Sequence, residues 1–204
     1  MHMLKTFRLL SARGVCISAA LLFIGGACAP IVVGGAALVG VAAVQERSIG
    51  SALDDATVQV QISQNLLDYS RTLFVSVGIE VVEGRVLLTG SVTDPQDRVE
   101  SVRIAWQVTG VSEVLNEIQI ADRGGIAGFI ADTRITAQLR LRMLSDRDVN
   151  DINYSIDTVN GTVYLMGLAL DQPELDRVFG YARSIAGVVN VVNHARLRDD
   201  PRRS

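Results

Sequence analysis

Glu83-Gly84-Arg85-Val86-Leu87-Leu88-Thr89-Gly90 recurs 77 residues later as Asn160-Gly161-Thr162-Val163-Tyr164-Leu165-Met166-Gly167. Each copy reads as a tight turn, a short apolar strand and a closing glycine. The offset holds well outside the stretch. Asp55 maps to Asp132, Leu67 to Leu144, Asp94 to Asp171, Ala105 to Ala182, Gly110 to Gly187 and Asn116 to Asn193. An ungapped repeat of this length implies duplication of one small domain.

The first copy sets the pattern. Val58, Ile62 and Leu66 share one face of a helix that runs to about Leu67, and Asp54 or Asp55 is its expected N-cap. Tyr69 to Phe74 reads as a connector. Val75, Val77, Ile79 and Val81 have the period of a half-buried strand, and Glu83-Gly84 turns the chain into an antiparallel return. Asp94-Pro95 caps a second helix, on which Val99, Val102 and Trp106 are expected to face the core. Gly110 ends it, and a third strand runs from Val111 to Ile120. The fold class is α+β, each copy αββαβ, with two helices on a three-stranded sheet. A core of about 70 residues is marginal alone, so mutual packing of the copies is expected. Trp106, the only tryptophan, is expected to fill the helix–sheet core or the seam between copies.

The chain before the first copy is different. Lys5, Arg8 and Arg13 precede an apolar run, then Gly25-Gly26-Ala27 and Cys28. This resembles a bacterial lipoprotein signal peptide with Cys28 as the acylated first residue of the mature protein. It departs from the usual lipobox in having Gly25 where an aliphatic residue normally stands. Residues 14–45 carry no charge and exceed the ~20 needed to span a bilayer, so a signal-anchor helix in the inner membrane stays open as a second reading. The expected organisation is a leader over 1–27, an apolar tether over 28–53, domains over 54–121 and 132–199, a Gly-containing hinge over 122–131, and a frayed tail over 200–204. Ile126, Phe129 and Ile130, inside the hinge, are expected to pack between the domains, with contact to a membrane as the alternative.

Composition excludes several functions. The formal net charge of −3 argues against a nucleic-acid partner, and 5% aromatic residues against a base- or sugar-stacking surface. Both cysteines precede the repeats, which leaves no cysteine metal site within them. His194 maps onto Glu117, so it belongs to no shared site. No Ser/His/Asp set, Cys/His pair or phosphate-cradling loop can be assembled. No cofactor, metal site or catalytic residue is expected. Glu80, Glu83 and Asp157, around the hairpins, are expected to be solvated.

The pattern Gly-x-Val-x-Leu-x-Gly, a helix, then Gly-Val-x-x-Val-x-Asn, resembles the BON domain (bacterial OsmY and nodulation). Two copies behind a lipobox look like the dual-BON outer-membrane lipoproteins. The resemblance implies a non-catalytic, lipid-anchored protein on the periplasmic face of the outer membrane. It also implies anionic phospholipid as the ligand class and a role in envelope integrity. A tethered protein–protein interaction module, binding other envelope proteins without lipid specificity, is the alternative.

The copies differ in charge. Residues 54–121 hold four basic and ten acidic side chains, whereas residues 132–204 hold ten of each. The opening helix of the second copy gains Arg134, Arg140 and Arg142, where the first has none. On a helical wheel Ile135, Leu139 and Met143 form its buried face. Arg134, Arg140, Leu141 and Leu144 fall elsewhere, an arrangement suited to a lipid interface. The family's aromatic at the Arg134 position is missing here. The competing reading is a solvated arginine face paired locally with Asp146 and Asp148.

Overall fold

The computed structural model describes residues 49–122 and 124–203. The leader, Cys28 and the tether up to residue 48 lie outside the described residues. The first copy comprises α1 (Ile49–Tyr69), α2 (Arg71–Ser76), β1 (Val77–Val82), β2 (Arg85–Val92), α3 (Pro95–Trp106), β3 (Glu113–Asn116) and β4 (Gln119–Ile120). The second comprises α4 (Gly125–Ser145), β5 (Tyr154–Val159), β6 (Thr162–Ala169), α5 (Gln172–Arg183), β7 (Asn190–Asn193) and β8 (Arg196–Leu197). The expected hinge is thus largely the first turns of α4. The connector after Tyr69 is the short helix α2, and it displaces the start of β1 from Val75 to Val77.

β2 and β6 are the central strands. Each pairs antiparallel with the strand before it and parallel with the interrupted lane after its helix. The interruption has a local cause. Asn116 Oδ1 accepts from the Ile118 amide at 3.2 Å, and Asn193 Oδ1 from the Ala195 amide at 3.0 Å. Ile118 drops into the core as a result, while the residue before it, Glu117 or His194, is turned the other way.

The hairpins use Glu83-Gly84 and Asn160-Gly161 with positive φ at both positions, which matches strand twist. Their amides are not left to solvent. Asp55 accepts from the Glu83 and Gly84 amides at 2.8 and 2.9 Å; Asp132 accepts from those of Asn160 and Gly161 at 2.9 and 2.8 Å. Both aspartates are buried within their helices, so neither is the expected N-cap; each clamps helix to hairpin. Gly90 and Gly167 close the repeated motif because β2 and β6 run hard against the preceding turn. A Cβ on either would lie 2.0 Å from the Ser76 or Asn153 carbonyl oxygen. Asp94 and Asp171 do cap their helices as the sequence implied, accepting from the Gln96 and Glu174 amides at 2.8 and 2.9 Å.

Every residue of β2 is buried, and all but the first of β6. One face of each sheet packs under its own helices around Ile62, Leu66 and Leu88, or Leu139, Met143 and Leu165. The other faces meet each other through Val82, Leu87 and Leu115 on one side and Val159, Tyr164, Met166, Leu168 and Val192 on the other. Val82 and Val159, Leu87 and Tyr164, and Leu115 and Val192 are pairs of equivalent positions. The seam is therefore pseudo-two-fold, with the layers running helices, sheet, sheet, helices. Both copies lie in one packed unit.

Polar contacts frame the seam. Thr89 hydroxyl donates to the Asp157 carboxylate. Glu117 and His194, equivalent positions, meet at 2.9 Å. Arg203 Nη2 reaches Glu83 Oε1 at 2.7 Å, and Arg196 Nη2 reaches Glu113 Oε2 at 2.9 Å. The expected frayed tail is accordingly pinned to the first copy, and Glu83 and Asp157 are engaged rather than simply solvated. The hydrogen bond from Arg85 holds the Glu113 carboxyl below its ordinary value of 4.5 against the opposing effect of burial, and Arg196 and His194 add to the lowering.

Replacing the acceptor shared by two turn amides is costly. Asp132→Ala should destabilise the chain by about 2–4 kcal/mol in urea unfolding, and Asp55→Ala comparably; a loss within the scatter of surface variants would contradict the clamp. Glu113, with its lowered pKa, stabilises the fold fully above about pH 4.5 and less as pH falls through the folded value. The wild-type chain should therefore lose thermal stability more steeply below pH 4.5 than Glu113→Gln, and parallel profiles would dismiss that pairing.

Candidate functional site: the outer face of α4

α4 has 21 residues, a length of about 31 Å. Asp132, Ile135, Leu139 and Met143 line its buried face. On the far side Leu141 and Leu144 are 66% and 63% exposed, and Arg134 and Arg140 are exposed beside them. The structure thus brings the four sequence-predicted residues to one solvent-facing side. It also extends that side toward the N-terminus. Ile126 is 81% exposed, and Phe129 and Ile130 are exposed as well. They do not pack between the copies. α4 begins at Gly125, with Gly124 in the left-handed region at φ 67°, and at 100° per residue Ile126, Ile130, Ala137, Leu141 and Leu144 fall within one broad stripe. Sequence reasoning placed Ile126, Phe129 and Ile130 in a linker; the helical spacing of Ile126 and Ile130 with Leu141 was the available signal.

The arginines are not consumed by local carboxylates. Asp146 accepts from the Tyr181 hydroxyl at 2.6 Å and lies 3.6 Å from Arg177, which also reaches Asp148 at 3.2 Å. The Tyr181 hydrogen bond, the Asp148 amide and Arg177 hold the Asp146 carboxyl below its usual range, and the same bond raises the Tyr181 hydroxyl. Arg134 makes one long bond, Nη2 to the Ala186 carbonyl at 3.4 Å, and Arg142 donates to the Ser184 hydroxyl. Arg140 has no hydrogen-bond or ion-pair partner among the described residues. Two guanidinium groups thus flank an apolar stripe with donors to spare.

α1 is the internal comparison. It buries Val58, Ile62 and Leu66 and exposes Leu53, Val60 and Leu67, but Thr57, Ser63 and Gln64 stand where α4 has Arg134, Arg140 and Leu141. Exposed apolar residues are common to both helices, and cations are not. Among the described residues no helix is long and apolar enough to cross a membrane, and none group as a metal site.

The chain matches the BON domain family over residues 54–122 and 131–199. It belongs to that family. Among relatives of this BON protein is a chain from Anaplasma centrale, described as "Uncharacterized protein in gshII 5'region", 40% identical over 147 residues, covering 72% of the present chain and 96% of the other. It is 28% identical to outer membrane lipoprotein DolP of Haemophilus influenzae, covering 88% and 93% of the two chains. Osmotically-inducible protein Y of Escherichia coli (strain K12) is 25% identical, with 74% and 77% covered.

One expectation about the first BON copy is overturned. Trp106 is 52% exposed and Val99, two turns before it, 58%, and α3 instead buries Ser101, Ile104 and Ala105. Ser101 is accommodated because its hydroxyl donates to the Asp97 carbonyl at 2.8 Å, and a buried serine masks the apolar period. Trp106, as the sole tryptophan, gives a direct check: its fluorescence should be readily quenched by acrylamide in the folded chain, and a shielded emission would contradict this placement.

Proposed function

We propose that this BON protein is a lipid-anchored component of the bacterial envelope that binds anionic phospholipid through the outer face of α4 and supports outer-membrane integrity. The observation that carries the reading is the pair of spare guanidinium groups, Arg134 and Arg140, beside a solvent-facing stripe that runs the length of the helix. Such a helix lies in the interface plane, apolar side chains among the acyl chains and cations at the phosphates. Phe129 supplies an aromatic on the same helix where the family's usual aromatic position carries Arg134. The leader, with Cys28 as the acylation site, and the relative described as an outer membrane lipoprotein support the compartment. Mass spectrometry of the mature N-terminus tests that part: an unmodified Cys28 in a retained leader would point to the signal-anchor alternative.

The surface reading is tested by flotation of residues 49–204 with vesicles. Binding should require anionic lipid and weaken with salt. Each cation near the surface contributes about 1 kcal/mol, so Arg134→Gln with Arg140→Gln should weaken partitioning about 30-fold. Leu141→Ser and Phe129→Ser should weaken it at any salt concentration. Equal binding to zwitterionic vesicles, or none to either, would sink the proposal. A second reading, a protein-interaction module, draws on exposed Trp106 and Arg103 along α3, residue types that recur at interaction hot spots, with exposed Val99 beside them.

A further inference from the structure

The pseudo-two-fold seam has two ends built from the same positions, and they differ in chemistry. At one end Gln119 Nε2 donates to the Val159 carbonyl and the Tyr164 hydroxyl oxygen, both at 3.1 Å, while its Oε1 accepts from Asn160 at 2.8 Å. Among the described residues, these hydrogen bonds are made by neutral groups. At the other end the equivalents of Gln119 and Asn160 are Arg196 and Glu83, and the equivalents of Thr162 and Asn190 are Arg85 and Glu113. Arg85 Nε and Arg196 Nη2 share a single oxygen, Glu113 Oε2, at 2.7 and 2.9 Å. Arg85 is buried at the start of β2 and also donates to the His194 carbonyl at 3.1 Å.

A cavity of about 290 Å³ opens among these charged side chains, completed by Ser112, Arg202 and Arg203. Its walls bring four guanidinium groups against two carboxylates. Asp200 accepts from Arg202 at 3.0 and 2.6 Å and Glu83 from Arg203 at 3.0 and 2.7 Å, which leaves Arg85 and Arg196 sharing the Glu113 carboxylate. Like charges gathered at a partly buried seam repel one another. The amide end shows that joining the copies does not require them. The lowered Glu113 carboxyl agrees with a positive local field.

We propose that this cavity binds a phosphate group, bridging arginines of both BON copies. Guanidinium forks match phosphate oxygens in pairs, and donors converging from different strands suit a tetrahedral anion better than a planar carboxylate. The volume sits at the lower limit of small-ligand cavities, roughly 300 Å³, enough for free phosphate or a phosphate carried on a small headgroup. Because donors come from both copies, occupancy also tightens the seam. The site is separate from α4, none of whose residues line it.

The test is thermal unfolding of the full chain in detergent micelles, with inorganic phosphate replacing chloride at constant ionic strength. Phosphate at ten times its dissociation constant should raise the midpoint by about 3–6 °C, and the rise should saturate. Arg196→Gln gives the charged end the residue of the neutral end and should abolish the rise. Arg202→Gln alters a largely exposed side chain, keeps the fold, and should diminish the rise even if the first variant unfolds. Glycerol phosphate in a parallel titration separates sources: a response to it without one to inorganic phosphate assigns a lipid headgroup, and a response to both assigns the phosphate itself. No rise with either anion, or an equal rise in Arg202→Gln, would overturn the proposal. Neither variant touches Arg134 or Arg140, so vesicle flotation of residues 49–204 reports on α4 independently.

Discussion

Two apolar sheet faces laid against each other hold the rest of this molecule in place. Each BON copy covers one side of its sheet with its own helices and leaves the other side bare. A domain of about 70 residues has little core to spare, and the bare side carries Leu87 or Tyr164 at its centre. Apposition of the two sheets removes both surfaces from water at once. It explains why β2 is buried along its whole length, although the alternation in β1 read as half-buried. It also directs both helical layers outward, which is what exposes α4.

The charge difference between the copies acquires two meanings in this arrangement. Part of it is internal. Glu83, Glu113 and Glu117 from the acidic copy meet Arg203, Arg196 and His194 from the other across the seam. On the helical surface, what remains for a membrane is narrower than the sequence totals implied: the guanidinium groups on the outer face of α4, whose nearby carboxylates are occupied by Arg177 and Tyr181.

The duplicated αββαβ scaffold was legible because its carriers are local. Turn dipeptides, proline-led helix starts and the i, i+4 spacing of Ile135, Leu139 and Met143 report on the chain within a few residues. Long-range pairings were not legible. Asp55 looks like an N-cap because an aspartate at the start of an apolar period usually is one; its partners are hairpin amides 28 and 29 residues away. Glu117 and His194 map onto each other but were read as forming no shared site because they do not match, yet a pseudo-two-fold axis brings these equivalent positions together and rewards opposites there. The α4 arginines were readable as a contrast with α1. Phe129 was noticed only as an apolar linker residue with membrane contact as its second option, because the glycines around it resemble a linker until the helix is seen to begin among them.

The seam also bears on how such a chain can change over generations. Two separate copies of one BON domain joined by this surface would form a symmetric dimer, in which any substitution appears at both ends. An arginine in place of Gln119 would then stand at both ends of the seam, each time in the same surroundings. Joining the copies in a single chain lifts that restriction. One end kept the neutral amides sufficient for adhesion, while the other was free to accumulate arginines. Fusion thus converts a surface that can only hold into one that can hold at one end and specialise at the other.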